Sequence, residues 1–270
     1  MKKLLLTVSL SFCTFHAFAH SPFLAPSNYI VNGGNTSILA GFAEKAFDSE
    51  VAIRGFNFKV INPKAESQNI ELVQSKSLSI GNVDTALDGT YEVLGERIAN
   101  IEYAKDGKRW LRVLDGKNTK VPPLSERDFI LEGEVTSKHQ KYSVERHDRL
   151  MSFFTKYKVS DLNKQSNQTG LNIEFSTHPN LIKRNTPFVF TAKIDGKPVT
   201  GYLVHVEKQQ TNFNQNDKNE KLTTNALGQV SLNLSKEGQY IITVTSPEVS
   251  VTEKPQPKTY RTIASVFVSE

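Results

Sequence analysis

The sequence predicts an all-β chain, with two immunoglobulin-like or transthyretin-like β-sandwich domains in tandem after a cleaved signal peptide. Three observations predict this. Short segments rich in β-branched and aromatic residues recur along the chain, among them "TSILAGF", "VAIRGFNFKVI", "FVFTAKI", "YLVHVEK" and "IASVFVS". Turn-forming "NGG", "DG" and "NALG" sequences separate many of them. No long amphipathic helical pattern stands out, so sheets must bury their apolar faces against other sheets.

The first element is the segment 1–19, "MKKLLLTVSLSFCTFHAFA". Lys2 and Lys3 open it, an apolar run from Leu4 to Phe15 follows, and Ala17-Phe18-Ala19 supplies the small residues a signal peptidase accepts. The run falls short of the ~20 residues a permanent membrane anchor needs. A lipid anchor on Cys13 is the competing reading, opposed by bulky Phe12 before it. Cleavage after Ala19 leaves 270 − 19 = 251 residues without cysteine, in an exported, soluble, periplasmic protein. Disulfides and cysteine-based metal or redox sites are thereby excluded. Removing Lys2 and Lys3 lowers the formal charge from +5 to +3. Basic and acidic residues are interspersed, which argues against nucleic acid as a partner, and no second apolar segment offers stable membrane insertion.

The N-terminal sandwich is assigned to 20–161. Within it "LMSFFTKY" (150–157) reads equally as a short helix or a strand. Trp110 in "KRWLRVL" reads as a core anchor before a carbohydrate-facing residue. The polar stretch "SDLNKQSNQTG" (160–170) marks the boundary. The C-terminal, carboxypeptidase-regulatory-like sandwich is assigned to 170–270, with hairpins around "DGKPVTGYLVHVEK", "TTNALGQVSLNL" and "EGQYIITV". An internal echo supports two units. "LDGTYEVLGE" (87–96) and "KEGQYIITVT" (236–245) each place an acidic residue, Gly, any residue and Tyr before an alternating strand. Glycine permits the tight entry to the strand, and tyrosine buries its ring while its hydroxyl caps a neighbouring loop.

Phosphate loops, nucleophile elbows, HExxH and dinucleotide fingerprints are absent, and none of the 28 acidic residues pairs at a telling spacing, so an enzyme is not favoured. The histidines carry the remaining chemistry. A chain starting at His20 offers an α-amine, with a pKa of about 7.7–8.0, beside its imidazole, a chelating pair that a metal can deprotonate near neutral pH. Such nitrogen donors suit nickel, cobalt and copper. Pro22 and Pro26 stiffen the segment behind it, and Phe23 and Leu24 are placed to pin it. His178 in "STHPN" reads as a second ligand or as a loop cap in equal measure. His147 in "ERHDRL" is a third candidate ligand, although an exposed charged loop is the plainer reading. His205 reads as a strand residue and His139 as a surface one.

The segments "AHSPFLAPSNYIV", "AGFAEKAFDSE", "DGTYEV", "STHPNLIKRNTPFVFTAKIDGKPVTG" and "TTNALGQVSLNLSKEGQYIITV" together resemble a periplasmic family. Its members include NikM-like and NikK-like accessory components of nickel and cobalt uptake. The resemblance implies a two-domain all-β protein that serves transition-metal import beside a metal transporter or a TonB-dependent receptor. On that reading the chain is a non-catalytic metal-binding accessory protein with His20, His147 and His178 as ligands. The alternative is an adhesive or scaffolding module binding a protein or glycan partner through "QQTNFNQNDKNE" and "PEVSVTEKPQPKTY". A copper oxidase resting on a terminal-histidine brace is a third reading, for which spacing identifies no second brace histidine.

Overall fold

The computed structural model describes residues 21–116, 121–162, 169–210 and 220–270. The signal segment with Cys13, the candidate ligand His20, part of the boundary stretch (163–168) and most of the loop "QQTNFNQNDKNE" lie outside the described residues.

Within them the chain is built of strands. In order they are β1 (Ser21–Pro26), β2 (Ile30–Val31), β3 (Asn35–Ala43), β4 (Ser49–Ala52), β5 (Asn57–Ile61), β6 (Ser67–Ile70) and β7 (Val73–Gln74). Next come β8 (Ser79–Asp84), β9 (Gly89–Asp106), β10 (Arg109–Leu114), β11 (Phe129–Leu131), β12 (Gln140–Lys156), β13 (Leu171–Phe175) and β14 (Phe188–Ile194). The chain finishes with β15 (Lys197–Pro198), β16 (Leu203–Lys208), β17 (Glu220–Thr223), β18 (Gln229–Leu232), β19 (Gly238–Thr245) and β20 (Lys258–Val268). The ambiguous "LMSFFTKY" is strand almost throughout, because the eight consecutive buried residues of β12, six of them in this segment, must serve two packed faces.

Three sheets form. The largest runs β11-β10-β9-β12-β20-β19-β16-β17, with β5 beside β9, β6 beside β5 and β2 beside β12. A smaller one runs β1-β3-β8-β7 with β4 on β3, and a third joins β13, β14, β15 and β18. Alternation along the central strands explains the layering. Tyr91, Val93, Leu150, Phe154, Ile241 and Ile263 join one core with Leu24, Ile38 and Ala40 of the β1–β3 sheet. Leu94, Met151, Phe153, Ile242, Ala264 and Val266 join the other with Ile173, Phe190 and Leu232 of the β13–β14 sheet. The two sandwiches, consecutive in sequence, therefore share a central sheet, sewn by the parallel pairing of β12 with β20 over Glu145–Ser152 and Lys258–Ser265.

The internal echo has a physical basis. Gly89 (φ 134°) and Gly238 (φ 129°) each open a strand in the region only glycine adopts freely. Two residues on, the Tyr91 hydroxyl donates to Leu87 O at 2.9 Å and the Tyr240 hydroxyl to Lys236 O at 2.8 Å. Each sandwich thus closes with a tyrosine tied four residues back, as in the tyrosine corner of immunoglobulin-like domains. The Tyr91 ring stacks on Phe154 with centroids 4.9 Å apart.

β9 and β12, of 18 and 17 residues, pair without a register shift from Gly89–Lys156 to Lys105–Gln140. They outrun the β1–β3 sheet, and a small cluster of Ala104, Leu111 and Ile130 packs their far end. Trp110 is buried on the opposite face of β10 from Leu111, its ring edge-on to Tyr142 with centroids 5.8 Å apart.

Candidate functional site

β1 carries the segment immediately behind the predicted cleavage point. It pairs antiparallel with β3 from Ser21–Ala43 to Pro26–Ile38. Phe23, Leu24 and Ala25 are buried, and the Phe23 ring meets Phe47 at 5.6 Å. The chain is therefore fixed from Ser21 onward. Ala43, the partner of Ser21, is followed by exposed Glu44, whose N–H donates to the Glu50 carboxylate at 3.3 Å. An acidic turn thus stands beside the start of β1.

His178 and His147 are not brought together. His178 caps the 3-10 turn Pro179–Leu181: Nδ1 accepts from Asn180 N–H at 3.1 Å, which leaves the ring proton on Nε2, 3.1 Å from the Thr90 hydroxyl. Burial pushes its pKa down, opposed by Ser160 and Asp161. One ring nitrogen caps the turn and the other meets Thr90 of β9. "ERHDRL" is not an exposed loop: it lies within β12, where His147 is half-buried with Nε2 2.5 Å from Glu145 Oε1. That hydrogen bond, then the one from Lys258, holds the Glu145 carboxyl down at about 2. His147 also packs on Tyr260, with centroids 5.3 Å apart. His178 sits on Thr90, the register partner of Thr155, eight residues along β12 from His147. At ~3.3 Å per residue the stretch of β12 between these two positions spans roughly 26 Å.

Among the described residues no group of three or more His, Cys, Asp or Glu is arranged to hold a metal ion. His205 is a half-buried strand residue on β16, its pKa lowered by burial. His139 turns back to accept from Thr136 N–H at 3.0 Å. The loop "PEVSVTEKPQPKTY" is docked: Val251 O accepts from Trp110 N–H at 2.6 Å and Pro257 O from Glu145 N–H at 2.9 Å.

Two polar constellations escaped the sequence reading, and both lie on β12. A cleft of about 510 Å³ includes Glu96, His147, Arg149 and Thr262 of the β13–β14 face in its wall, together with Arg97 and Asp148 of the opposite face. Arg149 Nη2 binds Glu96 Oε1 at 2.7 Å and Thr169 O at 2.7 Å. On the other side, buried Asp148 accepts from Arg97 Nη2 at 2.6 Å and from Arg261 Nε at 2.9 Å, with Arg146 Nε 3.3 Å away. The clue was alternation: residues 145, 147 and 149 project to one face and 146 and 148 to the other.

The family profile described as "Domain of unknown function (DUF4198)" matches residues 17–248. No curated protein sequence matches the chain. Solved structures similar to it include the D0-D1 domain of intimin (11% identity, 92% of this chain and 97% of that chain, TM-score 0.24). Domains A168–A170 of titin align over 93% of this chain and 100% of theirs, at 8% identity and a TM-score of 0.23. The FN1–FN3 domains of chicken CNTN1 align over the same shares, at 8% identity and a TM-score of 0.24. Superpositions at that level carry no functional inference.

Proposed function

We propose, from the premise that the chain belongs to the DUF4198 family of domains of unknown function, that it is an exported, non-catalytic transition-metal binding protein. It holds nickel or cobalt at the processed terminus and passes the ion to a transporter or TonB-dependent receptor. One observation carries the reading: the strand behind His20 is pinned along its whole length, with Phe23, Leu24 and Ala25 buried. A terminus made at His20 therefore stands one residue from fixed backbone, so little of its freedom remains to be lost on binding. The α-amine and imidazole supply two nitrogen donors, and the Glu44 carboxylate on the neighbouring turn is a third donor of suitable chemistry. His147 and His178 are not required, since their rings are committed to Glu145, Thr90 and Asn180.

Calorimetric titration of the processed protein with nickel and cobalt tests this. One ion should bind with a dissociation constant below about 0.1 mM, corresponding to more than ~5 kcal/mol. His20→Ala should abolish it, Glu44→Gln should weaken it, and His147→Ala and His178→Ala should leave it intact. Equal binding by His20→Ala would remove the proposal.

A further inference from the structure

β9 has an open stretch on one edge. Along its whole length it pairs with β12 on one side. On its other side it pairs with β5 from Glu92 to Glu96 and with β10 from Tyr103 to Asp106. Between those two strands, residues 97–102 pair with nothing on that side among the described residues.

The register shows which main-chain groups are open there. Glu145 N–H donates to Pro257 O and Thr155 N–H to Tyr29 O, so odd-numbered residues of β12 aim their main-chain groups away from β9. In an antiparallel ladder the residue opposite such a position also aims away from its partner strand. Asn100 is opposite Glu145 and Thr90 is opposite Thr155, so the even-numbered residues of β9 aim away from β12. Thr90 N–H accordingly donates to Ser160 Oγ at 2.8 Å. Ile98, Asn100 and Glu102 therefore turn their N–H and C=O groups to the open edge.

Their side chains share one face of β9, with His147, Glu145 and Ser143 opposite them on β12. All three are exposed, Ile98 by 63%. The Glu102 carboxylate accepts from Ser143 Oγ at 2.6 Å and has no basic partner among the described residues. The cleft that holds His147 and Arg149 reaches this edge, with Gly55, Asn57 and Ile98 in its wall. "RIANIE" (97–102) contains no proline, and its pairing with β12 has no bulge to turn the edge away from an incoming strand.

We propose that the open edge of β9 binds a short extended peptide of a partner protein by strand addition. Length selects this occupant. At ~3.3 Å per residue the gap between β5 and β10 is roughly 20 Å long, room for a segment of about six residues. The 18-residue β9 of a second copy would run into β5 or β10, so the edge does not pair with itself. Antiparallel addition, the direction of β5 and β10, lets Ile98, Asn100 and Glu102 each exchange two main-chain hydrogen bonds with the peptide. In that direction a basic residue meets Glu102, and an apolar residue four positions later meets Ile98. The site is separate from the terminal histidine and does not depend on it.

The test is NMR titration of the ¹⁵N-labelled processed protein with the peptide acetyl-Lys-Thr-Val-Thr-Ile-amide. In the free protein the amides of Ile98, Asn100 and Glu102 should exchange with solvent faster than those of Ala99 and Ile101, which face β12. Saturating peptide should shift these resonances and slow that exchange ~10-fold or more, about the effect of one hydrogen bond gained. N-methylation of the peptide valine, whose N–H faces Asn100, should weaken binding by a similar factor, whereas N-methylation of the second threonine should not. Asn100→Pro removes an edge N–H and spares the β12 ladder, so it should weaken binding while the β12 amides stay protected. Glu102→Lys should reverse the preference between this peptide and its counterpart with glutamate in place of lysine. His20→Ala should bind the peptide as the parent does. Slow exchange at all of residues 98–102 in the free protein, no saturable shift at this edge, or equal binding of the N-methyl-valine peptide would overturn the proposal.

Discussion

At the residue scale the central sheet carries more ionisable groups than a β-core usually tolerates, and their partners determine their state. Glu92, on β9 beside Leu94, is buried and its pKa is pushed up to about 7. Burial dominates, Arg149 and then Lys59 oppose it, and Glu96 adds repulsion. A carboxyl whose folded pKa is raised stabilises the fold fully below its unfolded pKa of about 4.5 and loses that contribution as pH rises through about 7. Glu92→Gln should therefore be more stable than the parent at pH 8, by up to about 3 kcal/mol. The advantage should vanish below pH ~4.5, as measured by urea denaturation across that range. A larger advantage at pH 4 than at pH 8 would contradict the assignment.

At the element scale, much of the strand layout was legible. Alternation exposed most strands, and the Gly-x-Tyr echo located the closing strand of each sandwich because its signal is local: a positive-φ glycine and a hydroxyl reaching four residues back. Tyr91→Phe leaves Leu87 O and N–H without that hydroxyl, and Tyr240→Phe does the same to Lys236 O. Each should cost about 1–2 kcal/mol of stability with little change in backbone dispersion by NMR. A neutral result would mean that water replaces the hydroxyl. What sequence could not show is pairing at a distance. "ERHDRL" looked like a charged loop because Arg97 and Arg261, which bury Asp148, come from strands 51 and 113 residues away in sequence. His178 was equally open between ligand and cap. Only the position of Thr90, 88 residues earlier, shows that its second nitrogen faces a hydroxyl.

At the scale of the whole molecule, one sheet serves two cores, so each sandwich contributes residues to the other: Ile241 and Ile263 to the first, Leu94 and Met151 to the second. Within this frame the pinned β1 and the Arg97–Asp148–Arg261 clamp lie on the same side of the central sheet. The central claim is that processing makes a two-nitrogen chelate at His20 on rigid backbone. The most direct measurement compares nickel affinity of the processed protein before and after acetylation of its α-amine. Acetylation removes one donor and leaves the imidazole and every side chain in place. The account predicts an affinity loss of roughly 100-fold, equivalent to ~3 kcal/mol. Undiminished nickel affinity in the acetylated protein would contradict it.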